Sequence, residues 1–367
     1  MKTIRRLIFK ETLSGVGFVT LGFLALFFFF DMVDELRWVG RVEGYQLTHA
    51  MMYVALSLPA HLYELLPITV LIGTIFVMAR LAQSSEFTIM RTSGLGPWRA
   101  LRTLLVLGCA FVVLTFAVGD YLSPLSDRAA QLVKANRMGQ ITTGATGAWL
   151  KERQGDRSVA VNVRALDPQG NMRGVRVFEF DAEGRVSSTL QAATGQFGPA
   201  GEGWDLQQVK RSVFHRGSGD QSRVERMQDD QLRWSTHITT DMVAASLLKP
   251  DQMSTIGLFQ YIRHLESNGQ AAQKYEIEFW RKVFYPLSCL VMVVLSLPFA
   301  YLHFRSGGIA GYVFGGVMAG ISFFLLNNVF GYAGNLQNWS PMLTAAAPGL
   351  IYSLLSLGAF GWLVLRR

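Results

Sequence analysis

From Ser306 to Leu365 the chain carries no charged side chain, an uncharged run of 60 residues. A helix rises about 1.5 Å per residue and the hydrocarbon core of a bilayer is about 30 Å thick, so about 20 residues complete one crossing. The run is too long for a single crossing. It reads as two, broken from Gly331 to Pro341 where GYAGNLQNWSP supplies turn residues. Four further apolar segments precede it: Thr12 to Phe30, Leu65 to Ala79 with a backward extension through Val54 to Leu58, Thr103 to Gly119, and Val283 to Leu302. Hydrocarbon offers no partner to an exposed peptide group, so each is expected to cross as a helix, six in all. The first has the basic start of a signal peptide, at Lys2, Arg5, Arg6 and Lys10. Its apolar run is longer than a usual signal core, however, and ends in FFFFDMVDE with no small-residue cleavage site, so it is read as a retained helix.

Half of the residues are hydrophobic and only 16% are charged, with a mean hydropathy of +0.26, which excludes a disordered chain and argues against an ordinary soluble enzyme. Residues 123 to 253 hold 17 of the 34 basic and 15 of the 26 acidic side chains, a local balance of +2 within a chain of +8. The rest of the basic excess flanks apolar runs, where it reports orientation in a bilayer rather than nucleic-acid binding. Four basic residues lie in the amino-terminal tail and four between Arg80 and Arg102, with Arg305, Arg366 and Arg367 on the same face. Opposite them, Arg37 and Arg41 are set against Asp31, Asp34, Glu35 and Glu43. The basic face is therefore read as cytoplasmic, with both termini inside and the polar insert outside.

That insert reads as sheet. Val159, Val161, Val163 and Ala165 alternate with Ala160, Asn162 and Arg164, and turn signals recur as DPQGN, DAEG, GPAGEG and GSGD from Asp167, Asp181, Gly198 and Gly217. Short strands punctuated in this way favour a sandwich or jelly roll. From Ser254 to Tyr275 the pattern turns helical, with Leu258, Tyr261, Ile262 and Leu265 on one face. The expected fold is an α+β membrane protein of six transmembrane helices, three before and three after an inserted jelly-roll-like domain. Residues 1–122 carry the first three helices and a short cytoplasmic helix near 84–94; residues 123–275 form the insert and its amphipathic helix; residues 276–367 carry the last three spans.

Motifs of catalysis are missing. There is no phosphate-cradling G-x-x-x-x-G-K-[ST], no H-E-x-x-H and no G-x-S-x-G; six histidines are scattered without ligand spacing, and Cys109 and Cys289 both lie in apolar segments. No catalytic or metal-binding residue is assigned. The span interiors, as bounded above, also lack ionisable groups, unlike those of a transporter driven by an ion gradient. His61 and Glu64, between Pro59 and Pro67 at the outer start of the second span, and Asp120 at the outer end of the third, read as interfacial residues rather than a proton relay. Energy then has to come from elsewhere.

The segment ARLAQSSEFTIMRTSGLGPWRA from Ala79 is the most specific feature. Ser84 or Ser85 can cap a short helix, Glu86 falls in its first turn where the helix dipole favours a carboxylate, and Gly94, Gly96 and Pro97 end it. Phe87 and Met90, with Ile89, give it an apolar face. Such a helix either lies on the lipid surface or docks in a groove of a cytoplasmic ATPase, with Glu86 on a basic partner and Phe87 and Met90 behind it. In the fifth span Gly307, Gly311 and Gly315 recur every fourth residue, with Gly316 and Gly320 beside them. Small residues at that spacing allow close helix approach and suit a separable seam, although glycine is common in membrane helices anyway.

ARLAQSSEFTIMRTSG, the first span ending in DMVDELRWVGR, the Pro59-to-Pro67 stretch and the SNGQAAQKYEIEFWRKVFYPLS approach to the fourth span together resemble the lipopolysaccharide-export permeases LptF and LptG. The similarity covers essentially the whole chain and is closer to the LptG branch, chiefly at the end of the first span and around Asn268. It implies an inner-membrane subunit that pairs with an LptF-like permease above an LptB-like ATPase dimer, which binds the ATP and magnesium, so that this chain needs no cofactor of its own. It further implies that lipopolysaccharide is extracted from the membrane and handed through periplasmic jelly rolls, by way of an LptC-like single-span protein, to a periplasmic bridge. Basic side chains after the first span, here Arg37 and Arg41, would contact its phosphates; Asp31 departs from the family's usual basic residue, and the four nearby carboxylates leave local ion pairing as the other reading. Two rivals remain at this level: another ATPase-linked permease, for lipoprotein release or cell-wall force transmission, and a membrane sensor or scaffold that moves nothing.

Overall fold

A computed structural model describes residues 2–41, 44–138, 147–154, 157–167, 169–198, 203–216, 222–247, 250–301 and 309–365. The elements run α1 (Lys2–Leu36), α2 (Leu47–Gln83), α3 (Glu86–Thr92), α4 (Pro97–Ala117), α5 (Ser123–Met138), six strands β1 (Ala148–Gln154), β2 (Arg157–Leu166), β3 (Met172–Phe180), β4 (Val186–Phe197), β5 (Trp204–Arg216) and β6 (Ser222–Trp234), then α6 (Thr240–Leu247), α7 (Thr255–Ser267), α8 (Gln273–Phe284), α9 (Ser288–Ser296), α10 (Ile309–Leu336) and α11 (Pro341–Leu365). They divide into two compact units. One comprises residues 1–35, 54–127 and 273–367; the other comprises 36–53 and 128–272.

The first unit is helical, and among the described residues six helical runs are long and apolar enough to cross a membrane: Thr3–Leu36, Leu47–Gln83, Pro97–Lys134, Gln273–Tyr301, Ala310–Leu336 and Pro341–Trp362. The chain is a multi-pass membrane protein of α+β class. Several runs outlast the hydrocarbon because polar residues continue the helix at its ends. Pro59 and Pro67 sit inside one unbroken α2, so His61 and Glu64 occupy helix positions rather than an irregular lead-in. The fourth span is segmented: α8 and α9 are joined by a 3-10 turn at Tyr285–Leu287, and α9 ends in a second at Leu297–Tyr301. Val70, Leu71, Ile75, Leu104, Met292 and Val293 form the centre of the core.

Helix α10 runs on to Leu336 through the glycines that sequence reading assigned to a break. A Cβ at Gly334 would lie 2.3 Å from Thr344 Cγ2, so this glycine lets α10 and α11 approach closely. The reversal itself is confined to residues 337–340, with Asn338 at φ 50°.

Helix α1 lies against α2 along one seam while the rest of it faces outward; only 6% of its apolar window is buried in the chain, against 83% for α2. At one end Arg80 pairs with Glu11. Toward the middle a Cβ at Gly73 would meet the Val16 Cα at 2.6 Å, and Thr20 Oγ1 bonds Thr69 Oγ1 at 2.9 Å. At the other end His61 Nε2 and Asp31 Oδ2 are 2.6 Å apart, with the Phe27 ring 4.8 Å from the imidazole.

The second unit is built on one antiparallel sheet in the order β1-β2-β3-β4-β5-β6. The alternation at Val159, Val161 and Val163 buries those residues, and the Asp167 and Asp181 turn signals close the two hairpins around β3. Asp167 Oδ1 accepts from the amides of Gln169 and Asn171, and Gly170 takes φ 85°. The turn signals at 199–202 and 217–220 lie outside the described residues. The strands follow one another as a meander, and the paired Greek keys of a jelly roll are not confirmed among the described residues. Gly174 at φ 64° and Gln208 at φ 53° mark irregularities where the inward face switches parity, bringing Met172 and Leu206 to the same core as Val175 and Val209. Trp204 closes one end, its Nε1 donating to the Ile238 carbonyl at 2.7 Å.

The helix expected from Ser254 to Tyr275 is two. Ser254 Oγ caps α7 by accepting from the Gly257 amide at 3.1 Å, and Leu258, Tyr261, Ile262 and Leu265 are buried as their spacing predicts. The chain leaves α7 at Asn268 and Gly269, the latter at φ 63°, with the Gln270 amide on the Leu265 carbonyl. Helix α8 then starts at Gln273.

Candidate functional site

Helix α3 has only seven residues, and both of its junctions are left-handed: Ser85 at φ 63° before it and Gly94 at φ 97° after it. Ser85 occupies the cap position but its side chain makes no capping bond, and Ser84 Oγ turns back toward the Leu81 carbonyl, so neither serine caps as expected. Termination does follow the glycine: the Leu95 amide reaches the Met90 carbonyl at 3.0 Å, and Arg99 Nη1 donates to the Gly94 carbonyl at 2.9 Å.

Spacing then sorts the side chains of α3 into two sets. Phe87 and Met90, three apart, turn inward and are buried in the helical core. Glu86, Thr88 and Ile89 are exposed, Ile89 by 63%. The Phe87 and Tyr301 rings meet edge to face at 5.0 Å between centroids, and the Arg91 guanidinium lies 5.1 Å from the centre of the Tyr301 ring. The helix is thus fastened from below by its apolar side and offers a carboxylate and one aliphatic side chain outward.

The glycines of α10 also divide by face. Gly307 lies outside the described residues. Gly311 and Gly315 have nothing within 4 Å of an added Cβ, whereas Gly316 and Gly320 pack on α2, where a Cβ would stand 2.7 Å from Ile75 Cδ1 and 2.8 Å from Ile68 Cγ2. The inward pair serves this chain's own core, and the outward pair leaves a shallow open strip.

In the second unit Arg37 and Arg41 are exposed on the short turn after α1, where the Arg41 amide bonds the Trp38 carbonyl at 3.1 Å. Lys134 lies nearby, its Nζ 5.6 Å from the Trp38 ring and 4.6 Å from the Tyr53 ring. Sequence reading passed over this lysine because nothing local couples residue 134 to residue 38. Elsewhere in the same unit the buried Glu152 accepts from Thr236 Oγ1 and from the His237 amide at 2.9 Å. Burial pushes the His264 imidazole below its ordinary pKa, against a smaller upward pull from Glu152.

Lys282 departs from the expectation that the span interiors lack ionisable groups. It lies in the helical run Gln273–Tyr301 and is only 4% exposed. From the sequence that span begins at Val283, ten residues after the helical run starts and one past Lys282, because the charged start of α8 masks a helix that continues into the membrane. The side chain reaches the π-turn Val118–Leu122 that ends α4, donating to the Gly119 carbonyl at 3.1 Å.

Residues 6–366 match the family described as lipopolysaccharide export system permease LptF/LptG. The chain belongs to that family. It is 29% identical over 337 residues to the Escherichia coli K12 lipopolysaccharide export system permease protein LptG, covering 91% of this chain and 90% of that one. The LptG protein of Haemophilus influenzae is 24% identical over 369 residues, 100% of this chain and 99% of its own. Both relatives carry the LptG name, the branch toward which the residues around the first span and Asn268 point. The matched residues include α3, Gly311, Gly315, Arg37 and Arg41. The family is one of transporter subunits, in agreement with a chain that carries no catalytic motif.

Proposed function

We propose that this chain is the LptG-like permease subunit of an ATP-driven lipopolysaccharide exporter in the bacterial inner membrane, with both termini cytoplasmic and the sheet unit periplasmic. It pairs with an LptF-like permease through the open face of α10 at Gly311 and Gly315. An LptB-like ATPase dimer, which holds the ATP and magnesium, docks on α3 by way of Glu86, while Phe87 and Met90 hold α3 to the bundle. Arg37 and Arg41 contact lipid phosphates, and an LptC-like protein receives the lipid beyond the sheet.

The physical need supports this division. Drawing one acyl chain into water costs about 0.8 kcal/mol per methylene, so a multi-chain lipid has to travel under cover. One face of the meander sheet is apolar from Val161 to Leu206, and its end strands β1 and β6 are not paired with each other among the described residues. Such a sheet can part to admit chains more readily than a closed barrel.

The observation that carries the reading is the exposed Glu86 on a helix whose apolar side is locked into the bundle, in a chain matched to the permease family from residue 6 to residue 366. Glu86→Lys is expected to strip the ATPase from the purified complex and stop lipid transfer. Unchanged copurification with normal transfer overturns the docking assignment. Neutralising Arg37 and Arg41 together is expected to lower the lipid recovered with the complex, and full recovery removes them from the lipid path.

A further inference from the structure

The 3-10 turn Leu297–Tyr301 at the end of the fourth span touches two elements at once. Tyr301, 4% exposed, meets the Phe87 ring of α3 edge to face and carries the Arg91 guanidinium of α3 over the same ring. Two residues earlier, the Phe299 ring meets Tyr312 of α10 edge-on, 6.1 Å between centroids. Aromatic edges and a guanidinium over a ring each have a preferred geometry, so a shift of α3 alters these contacts before it alters looser ones. Helix α3 is also flanked by the left-handed Ser85 and Gly94, where the backbone changes direction on both sides. The turn itself has 3-10 geometry, whose hydrogen bonds are poorer than those of an α-helix, and it contains Pro298, which donates none.

We infer that Tyr301 is a positioning residue of the transport cycle: clamped between Phe87 and Arg91, it passes displacement of α3 through the Leu297–Tyr301 turn and the Phe299–Tyr312 contact to α10. This rests on the reading of α3 as the ATPase dock. It adds the route by which a stroke delivered at Glu86 reaches the helix bearing Gly311 and Gly315. The route runs through the fourth span, not only along the chain into α2 and α4. Neither Tyr301 nor Arg91 needs to touch lipid or nucleotide for this.

The test uses the whole complex in proteoliposomes and reads lipid transferred per ATP hydrolysed. Tyr301→Leu removes the ring while leaving the exposed Glu86 and Ile89 in place. The ATPase is expected to stay bound and hydrolyse, while lipid per ATP falls about tenfold, within the range that changes along a coupling route produce. Tyr301→Phe keeps both ring contacts and is expected to restore the ratio. Arg91→Gln is gentler on folding and should lower the same ratio; combined with Tyr301→Leu it should add little, because the one contact it removes is already lost with the ring. Wild-type lipid per ATP in Tyr301→Leu and Arg91→Gln overturns the inference. If Glu86→Lys fails to release the ATPase, it is instead the docking reading that falls, so the two failures are told apart.

Discussion

The ammonium of Lys282 donates to the carbonyl of Gly119 at 3.1 Å, joining the fourth span to the π-turn that ends α4. A π-turn displaces the regular ladder and frees carbonyls inside a helix, and in a membrane a freed carbonyl finds no water. Gly119 sits there because a Cβ would stand 2.3 Å from the Tyr63 ring, which in turn lies under the same ammonium at 5.7 Å. Lysine, turn and ring form one packed group.

Lys282→Met should therefore destabilise the helical unit by about 1–3 kcal/mol, the cost of leaving a buried acceptor without its donor. Gly119→Ala should act at the same place by overpacking, costing about 1–3 kcal/mol. Thermal unfolding of the purified chain in detergent reads both. Each single change already breaks the group, so the pair together should lose less than the sum. Strict additivity would mean that lysine and turn are independent.

The seam between α1 and α2 predicts a second outcome. Because so little of α1 is buried, its attachment depends on the Gly73–Val16 approach and the polar pairs above and below it. Gly73→Val should push α1 away, since the new side chain starts against the Val16 backbone. Gly22→Val, where nothing lies within 4 Å, should leave it attached. Cysteine pairs spanning the seam, read by crosslinking yield, should lose efficiency only in the first variant.

Much of this was legible in the sequence and some was not, for definite reasons. The alternation at Val159 to Val163 and the Asp167 and Asp181 turns are local signals, and they hold in the fold. The six apolar runs were legible too, but their ends were not: the charged residues of α8 obscure a helix that continues into the membrane, hiding Lys282. The glycines from Gly331 to Gly334 look like a break by composition, although the helix runs through both and the small size of Gly334 serves packing against α11. For α3 the residues were legible but not their roles. Whether Phe87 faces a partner or its own chain depends on Tyr301, more than two hundred positions away, which no local pattern encodes.

His264 supplies a pH dependence in the sheet unit. Burial lowers its pKa, with its Nε2 buried and without a hydrogen bond among the described residues. The folded state therefore binds a proton less readily than the unfolded state, whose histidine titrates near pH 6.5. The stability linked to this group is complete above that pH, declines as pH falls through it, and levels off below the lowered folded value. Protection of the β1 and α7 amides, corrected for the intrinsic pH dependence of exchange, should fall between pH 7 and pH 5 more than in His264→Gln, which has no proton to take up. An equal loss of protection in both proteins would assign the effect to other groups.

The two glycine faces of α10 give opposite expectations for the same chemical change. Gly316→Val and Gly320→Val add methyl groups where Ile75 and Ile68 already fill the space, so each should lower the thermal stability of the isolated chain by about 1–3 kcal/mol. Gly311→Val and Gly315→Val add them to an open face, and the isolated chain should unfold as before. If that face seats the second permease, the same pair should reduce its copurification, because valine keeps two helix backbones from approaching as closely as glycine allows. Stability of the isolated chain and recovery of the partner thus separate the two faces. Loss of chain stability in the Gly311 and Gly315 variants would place that strip in the chain's own core, and retention of the partner at wild-type levels would move the permease seam elsewhere.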